Sequence, residues 1–403
     1  MKLKRIMVVG GNVAGLKATE ALRHKGFDGE IFFVSAEPHL PYDRPPLSKQ
    51  ILTGELQPEA LPYRDMKWFA DNKVELLFGK PATCLDLHEK RVTVDGSDIG
   101  FDGMVIATGA RARELQLGRA LRGIHTLRTI DDALKLREEL VPGAHVVVIG
   151  AGFIGAEVAS SALSRGSKVT VLEAASAPLT RALGSRLGKL FGEIHAQNGV
   201  KLTCSAQVCG FRGTDRVTAV SLADGSEIPA DVVVIGIGIT PNTEWLAQSG
   251  LNISDGLVCD MKLNTGHENV YAAGDVARWP NEWTQTTMRS EQWTTAADQG
   301  KHAALNLLAG REHAKAFSCV PYFWSDQYGA RIQSLGRTDS DVIMISGSPD
   351  ARPFIGAYRD KHRLAGVITV NAPRAFAILR KKLAENSSFE DAVRSVEQYP
   401  ATA

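Results

Sequence analysis

The sequence predicts an α/β chain with two Rossmann-like nucleotide-binding domains and a small α+β C-terminal domain. Three observations carry this. Two apolar runs, Ile6 to Val9 and Val146 to Ile149, each break into a glycine-rich turn that opens a helical pattern. Each turn is followed, beyond a second apolar run, by an acidic residue, Glu37 in the first case and Glu173 in the second. From Phe317 onward the pattern shifts to short strand-like pieces and then a helix, the mark of a separate α+β region. At 403 residues the chain is also too long for one ordinary core.

The first unit starts with Ile6-Met7-Val8-Val9, an unbroken apolar run suited to a central parallel strand. Gly10-Gly11-Asn12-Val13-Ala14-Gly15 turns into a helix, and the run Ile31 to Val34 ends near Glu37, 22 residues beyond Gly15. Strand, glycine turn, helix, strand and acid at that spacing bind a dinucleotide. Backbone N–H groups at the helix start face the pyrophosphate, and the carboxylate accepts from ribose hydroxyls. One position departs from GxGxxG: the middle glycine, which lets the backbone approach the pyrophosphate, is Asn12. Asn tolerates unusual backbone angles well, so the turn is expected to be kept.

The second unit is complete. Gly150, Gly152 and Gly155 stand in register after Val146 to Ile149, with Phe153 and Ile154 between, and Glu157 falls in the helix that follows. Val169 to Leu172 closes on Glu173, 18 residues past Gly155. An acid there favours the free 2′-hydroxyl of NADH and repels the 2′-phosphate of NADPH. Two small-residue turns, Thr108-Gly109 and Gly236-Ile237-Gly238, mark exits from the two units, and Val270 to Asp275 delivers one carboxylate at Gly274. The expected domains are 1–112 with 243–316, then 113–242 inserted between them, then 317–403. In the last, Arg331 to Leu335, Val342 to Ser346 and Gly366 to Val370 read as strands and Pro373 to Glu385 as a helix, with a mobile polar tail after Asn386.

Composition narrows the function classes. Lys plus Arg (46) balances Asp plus Glu (45), so no global field favours nucleic acid or an anionic membrane. No stretch approaches the roughly 18 apolar residues of a membrane span, and the apolar run after Lys4-Arg5 is too short for a secretion signal. A cytoplasmic protein, monomeric or weakly dimeric, is expected. The five cysteines include no CxxC, and Cys204 and Cys209 lie five apart in a strand-like stretch, on opposite faces. Reduced structural thiols are the reading, with no metal site.

With these residues assembled, the chain resembles the pyridine-nucleotide flavoprotein oxidoreductases of the glutathione-reductase fold. Within them it is similar to the NADH-dependent ferredoxin reductases of bacterial oxygenase systems. The likeness runs over nearly the whole chain. It is narrowed by Tyr42-Asp43-Arg44-Pro45-Pro46-Leu47-Ser48-Lys49, by Glu291-Gln292-Trp293 with Gln299-Gly300, and by Phe323-Trp324-Ser325-Asp326-Gln327-Tyr328.

The resemblance implies FAD in the first unit and NADH as co-substrate in the second. Gly10, Asn12, Ala14, Gly15 and Glu37 inherit the ADP half of FAD. Arg44, Lys49, Arg128 and Trp293 inherit contacts along the flavin and its phosphates, Asp275 with Gly274 the ribitol, and Ala82, Thr108 and Gly109 further FAD contacts. Gly150, Gly152, Phe153, Ile154, Gly155, Glu157, Glu173 and Gly238 inherit NADH. Lys49 and Glu157 resemble the pair that flanks nicotinamide and flavin ring and are the catalytic candidates; separately each also reads as a solvated charge. Trp324 reads as a flavin shield or as ordinary core. Arg374, Arg380, Lys381 and Lys382 read as a face for an acidic ferredoxin or as a solvated helix face.

The implied acceptor is an iron–sulfur ferredoxin serving a cytochrome P450 or a ring-hydroxylating dioxygenase. The alternatives are a rubredoxin reductase, an NADH oxidase and a disulfide-type flavoprotein. The last needs a redox cysteine beside the flavin, where this chain has Leu47-Ser48-Lys49. A non-enzymatic FAD protein that signals through its partners would carry long basic insertions, and none occurs.

Overall fold

The computed structural model describes residues 3–117, 121–338, 342–348 and 353–397. By contact the chain divides into two compact units. One holds Met1–Asp43, Glu59–Arg111 and Ile239–Pro321; the other holds Arg44–Pro58, Ala112–Gly238 and Tyr322–Ala403.

The first unit is built on a five-stranded parallel sheet. Its order is Val270–Ala272, Gly103–Ile106, Arg5–Val9, Glu30–Ser35, Val74–Phe78. Arg5–Val9 is the central strand, and Ile6, Met7 and Val8 are fully buried, which is why its run carries no polar alternation. The helix Val13–His24 packs against the helix Trp293–His313. Their approach depends on Gly300, where a Cβ would overlap the backbone of Ala14. The Gln299-Gly300 signature therefore has a packing cause.

The second unit repeats the parallel arrangement, in the order Lys201–Thr203, Lys168–Leu172, His145–Ile149, Val232–Ile235, Ile124–Thr126. It also contains a five-stranded antiparallel sheet ordered Tyr322–Gln327, Ala330–Gly336, Arg363–Val370, Phe354–Asp360, Val342–Ser346. Tyr322–Gln327 and Phe354–Asp360 are strands that the sequence pattern leaves unmarked. The residues after Asn386 depart from expectation: Phe389–Glu397 is a helix that buries Phe389, Ala392 and Val396.

The C-terminal sheet shares a core with the helix Thr180–Gln197: Leu187, Phe191 and Ile194 pack with Ile332, Phe354 and Ile368. His195 Nδ1 lies 2.9 Å from the Tyr328 hydroxyl in the same region. Burial holds His195 down at about 4 and pushes the Tyr328 phenol up, so both stay neutral near pH 7. This shared core is the reason the segment from Tyr322 clusters with the second unit. No helix among the described residues is long and apolar enough to cross a membrane.

Candidate functional site

In the first unit, Gly10 has φ +130°, and a Cβ there would overlap the Ala107 carbonyl. A Cβ on Gly15 would overlap the Gly10 carbonyl. These two glycines let helix and strand pack. Asn12 does something other than the sequence reading expects. Its backbone is ordinary and extended (φ −124°, ψ −162°), so no unusual angle calls for Asn. Instead it is the N-cap: its Oδ1 accepts from the Val13 N–H at 2.8 Å. Leu16 N–H is the first to bond back, to the Asn12 carbonyl at 2.9 Å. The N–H groups of Ala14 and Gly15 are left at the positive end of the helix dipole, where an anionic group is stabilised.

Glu37 follows the strand Glu30–Ser35, and its Oε2 accepts from the Tyr42 hydroxyl at 2.5 Å. Thr108 and Asn242 bond reciprocally: Thr108 Oγ1 donates to the Asn242 carbonyl, and Asn242 Nδ2 to the Thr108 carbonyl, each at 2.9 Å. Gly109 next to it takes φ +63°, and Ala82 pairs with Val94 in a small antiparallel sheet. The Gly274 N–H donates to Gln299 Oε1 at 2.8 Å, fixing the 3-10 turn that carries the buried Asp275. Trp293 Nε1 donates to the Tyr63 hydroxyl at 2.8 Å, and that hydroxyl donates to Asp43 Oδ1 at 2.7 Å.

In the second unit, Cβ atoms on Gly150 and Gly155 would overlap the backbone of Gly236 and Gly150. Gly152 is different: nothing lies within 4 Å of the place its Cβ would take. It caps the helix Phe153–Ser164 without any side chain, so the first N–H groups of that helix are not claimed by a cap. Open space beside unclaimed donors fits a diphosphate. Phe153 packs on Phe323 at 4.4 Å between centroids, while Ile154 is left 49% exposed. The Gly238 carbonyl accepts from Arg113 N–H at 2.9 Å.

Glu173 sits at the expected strand end, but its carboxylate also holds the turn. Oε2 accepts from Ala151 N–H and Oε1 from Ala175 N–H, both at 2.8 Å. Each oxygen keeps a lone pair for a ribose hydroxyl. Glu173→Ala is expected to narrow any preference for NADH over NADPH, read from kcat/KM for the two cofactors. An unchanged ratio would remove the specificity role and leave only the turn-holding one.

The same unit brings Lys49 and Glu157 together. Lys49 Nζ lies 2.8 Å from Glu157 Oε2, with the carboxylate side chain 2% exposed. Neither is a solvated charge. Ser48 Oγ donates to the same Oε2 at 2.5 Å, and Ser325 Oγ donates to Oε1 at 2.7 Å. The Ser48 carbonyl accepts from Ser161 Oγ at 2.7 Å, one helical turn beyond Glu157. Arg44 Nη1 donates to the Arg128 carbonyl at 2.6 Å, and the Arg128 N–H to Asp132 at 3.0 Å. Trp324 stacks on Tyr322 at 5.8 Å, while Lys381 and Lys382 approach Glu385 at 3.8 and 3.9 Å.

Sequence reasoning passes over Tyr42, Tyr63, Ser48, Ser161 and Ser325. Tyr42, Asp43, Arg44, Ser48 and Lys49 are consecutive or nearly so in one motif: Tyr42 holds Glu37, Asp43 holds Tyr63, Arg44 holds Arg128, and Ser48 and Lys49 together hold Glu157. The motif was the signal; its division of labour was not readable.

Two glycine-turn units and a buried Lys–Glu pair define an oxidoreductase of the two-nucleotide class. The chain belongs to the pyridine nucleotide-disulphide oxidoreductase family, whose model matches residues 4–300; residues 322–397 match the reductase C-terminal model. It is 39% identical to rhodocoxin reductase of Rhodococcus erythropolis over 94% of this chain and 89% of that one. It is 35% identical to the ferredoxin reductase component of a Cupriavidus chlorobenzene dioxygenase, over 96% and 94%. Among solved structures, the covalent putidaredoxin reductase–putidaredoxin complex matches with a TM-score of 0.89 and 31% identity, over 95% of this chain and 93% of that one.

Proposed function

We propose that this chain is an FAD-dependent NADH:ferredoxin oxidoreductase that supplies electrons to an oxygenase. The reaction is NADH plus two oxidised iron–sulfur proteins giving NAD+, two reduced iron–sulfur proteins and a proton. FAD, when bound, accepts a hydride and releases electrons singly, which is the chemistry a one-electron acceptor requires. The observation that carries the reading is the clamp on Glu157. The Leu47-Ser48-Lys49 stretch, where a disulfide or peroxide reductase of this fold places its thiol, instead supplies two donors to a buried carboxylate. The five cysteines are unpaired, and Cys259 and Cys319 have their thiols pushed up by burial, the opposite of an activated nucleophile.

In this reading the N–H groups at Ala14 and Gly15, with Glu37, Thr108, Gly109, Ala82, Asp275 and Trp293, hold FAD, and Arg44 and Arg128 keep the FAD-contact role that the resemblance implies. The open turn at Gly152, with Phe153, Ile154, Glu173 and Gly238, holds NADH. The Glu157 carboxylate accepts from the nicotinamide carboxamide, and the Lys49 ammonium, 2.8 Å away, holds that carboxylate in place. No protein group acts as a general base. Trp324 shields the ring, and the Arg374, Arg380, Lys381 and Lys382 face meets an acidic ferredoxin.

Stopped-flow reduction by NADH, followed by mixing with ferredoxin, rubredoxin, a disulfide, a peroxide or oxygen, tests the direction of electron flow. Ferredoxin is expected to reoxidise the flavin fastest. Faster reoxidation by disulfide or peroxide would sink the reading, and faster reoxidation by rubredoxin would change the partner within it.

A further inference from the structure

Glu157 joins three stretches of chain that are far apart in sequence. It projects from the helix Phe153–Ser164. Ser48 and Lys49 reach it from the segment Arg44–Pro58, and Ser325 reaches it from the strand Tyr322–Gln327 in the C-terminal region, 168 residues away. The donors divide unevenly. Oε2 takes both Ser48 and Lys49, whereas Oε1 takes Ser325 alone. A carboxylate with both partners on one oxygen is free to swing about its last bond, since the terminal sp3–sp2 torsion of Glu is broad. Ser325 is the group that stops this swing.

Ser325 is itself fixed. It is fully buried, and its Oγ accepts from Gln327 Nε2 at 3.3 Å, so its own proton is directed to Glu157. Residues 325 and 327 share one face of the strand, and both are buried. The partner strand holds the backbone in register, with Ser325 opposite Ile332. A buried hydroxyl with an assigned donor and an assigned acceptor is a built element of the site.

We propose that Ser325 is a positioning residue for hydride transfer: it orients Oε1 of Glu157 so that the remaining lone pair meets the nicotinamide carboxamide. The C-terminal region thereby takes part in NADH chemistry as well as in any docking of the electron acceptor. This rests on the reading of Glu157 as the carboxamide's partner. Ser325 touches neither cofactor, so its effect passes through one side chain.

The test is anaerobic stopped-flow reduction of the FAD-loaded full-length protein by NADH, with Ser325→Ala, Ser325→Cys, Glu157→Gln and the Ser325→Ala/Glu157→Gln double variant. Ser325→Ala is expected to lower the limiting reduction rate about tenfold, the loss of one charge-assisted hydrogen bond, with the NADH concentration dependence little changed. Ser325→Cys, of similar size but a weak donor, should fall between. In the Glu157→Gln background, Ser325→Ala should add little, because its target has gone. A general packing role would slow both backgrounds equally, and that result overturns the proposal. So does an unchanged rate in both Ser325→Ala and Ser325→Cys while Glu157→Gln is slow. If Glu157→Gln itself reduces at the native rate, the reading of Glu157 fails, and the positioning role falls with it.

Discussion

Lys49→Met is expected to cost about 3 kcal/mol of stability in the second unit, because removing one member of a buried ion pair leaves the other charge uncompensated. The carboxylate of Glu157 is 2% exposed, and the Lys49 side chain 13%, so water cannot replace the ammonium cheaply. The Ser48 and Ser325 hydroxyls would still donate, which keeps the loss near the lower end for such pairs. Lys49→Met/Glu157→Gln removes both charges at once and should recover most of the stability, but none of the activity. Flavin reduction by NADH should fall on the order of a hundredfold in either single variant, the size of effect seen when one preorganised charge is lost. Urea midpoints followed by far-UV circular dichroism, with stopped-flow rates beside them, separate the two effects. A native urea midpoint for Lys49→Met would mean that the ion pair does not hold the segment Arg44–Pro58 in place.

That clamp marks the border of what the sequence discloses. Lys49 and Glu157 are visible as types that match a known pair, because each sits in a recognisable local motif. Ser325 stands in a family-narrowing segment, but its role is not legible, because its partner lies on another element and no local pattern links them. The glycine turns are legible for the opposite reason: their chemistry is contained in six consecutive residues. Even there the sequence misleads at Asn12. The substitution reads as a matter of backbone angle, whereas the residue adopts common angles and works through its side chain as a helix cap. Glu173 follows the strand Lys168–Leu172 as its spacing implies, yet its bonds to Ala151 and Ala175 depend on how the turn folds back. The Phe389–Glu397 helix is missed because polar composition outweighs its apolar spacing, although Phe389, Ala392 and Val396 fall on one helical face.

The three glycines of the second turn should separate cleanly under substitution by alanine. Gly155→Ala places a Cβ inside the Gly150 carbonyl, backbone against backbone, with no flexible side chain to give way. A cost of about 3 kcal/mol is expected from such overpacking, with loss of soluble protein if the helix shifts. Gly152→Ala meets nothing within 4 Å, and its φ of −77° suits any residue. Alanine is a poorer N-cap than glycine, but it also loses less chain entropy on folding; the two effects nearly cancel, leaving stability within about 0.5 kcal/mol. The methyl group would instead occupy the space assigned to the pyrophosphate. NADH affinity should then fall by more than about tenfold, or roughly 1.4 kcal/mol, while flavin content and reduction by dithionite remain native. Titration of the oxidised protein with NAD+ and the NADH dependence of flavin reduction read this directly. Native affinity in a folded Gly152→Ala variant would place the dinucleotide elsewhere, because only the open position beside the helix start is changed.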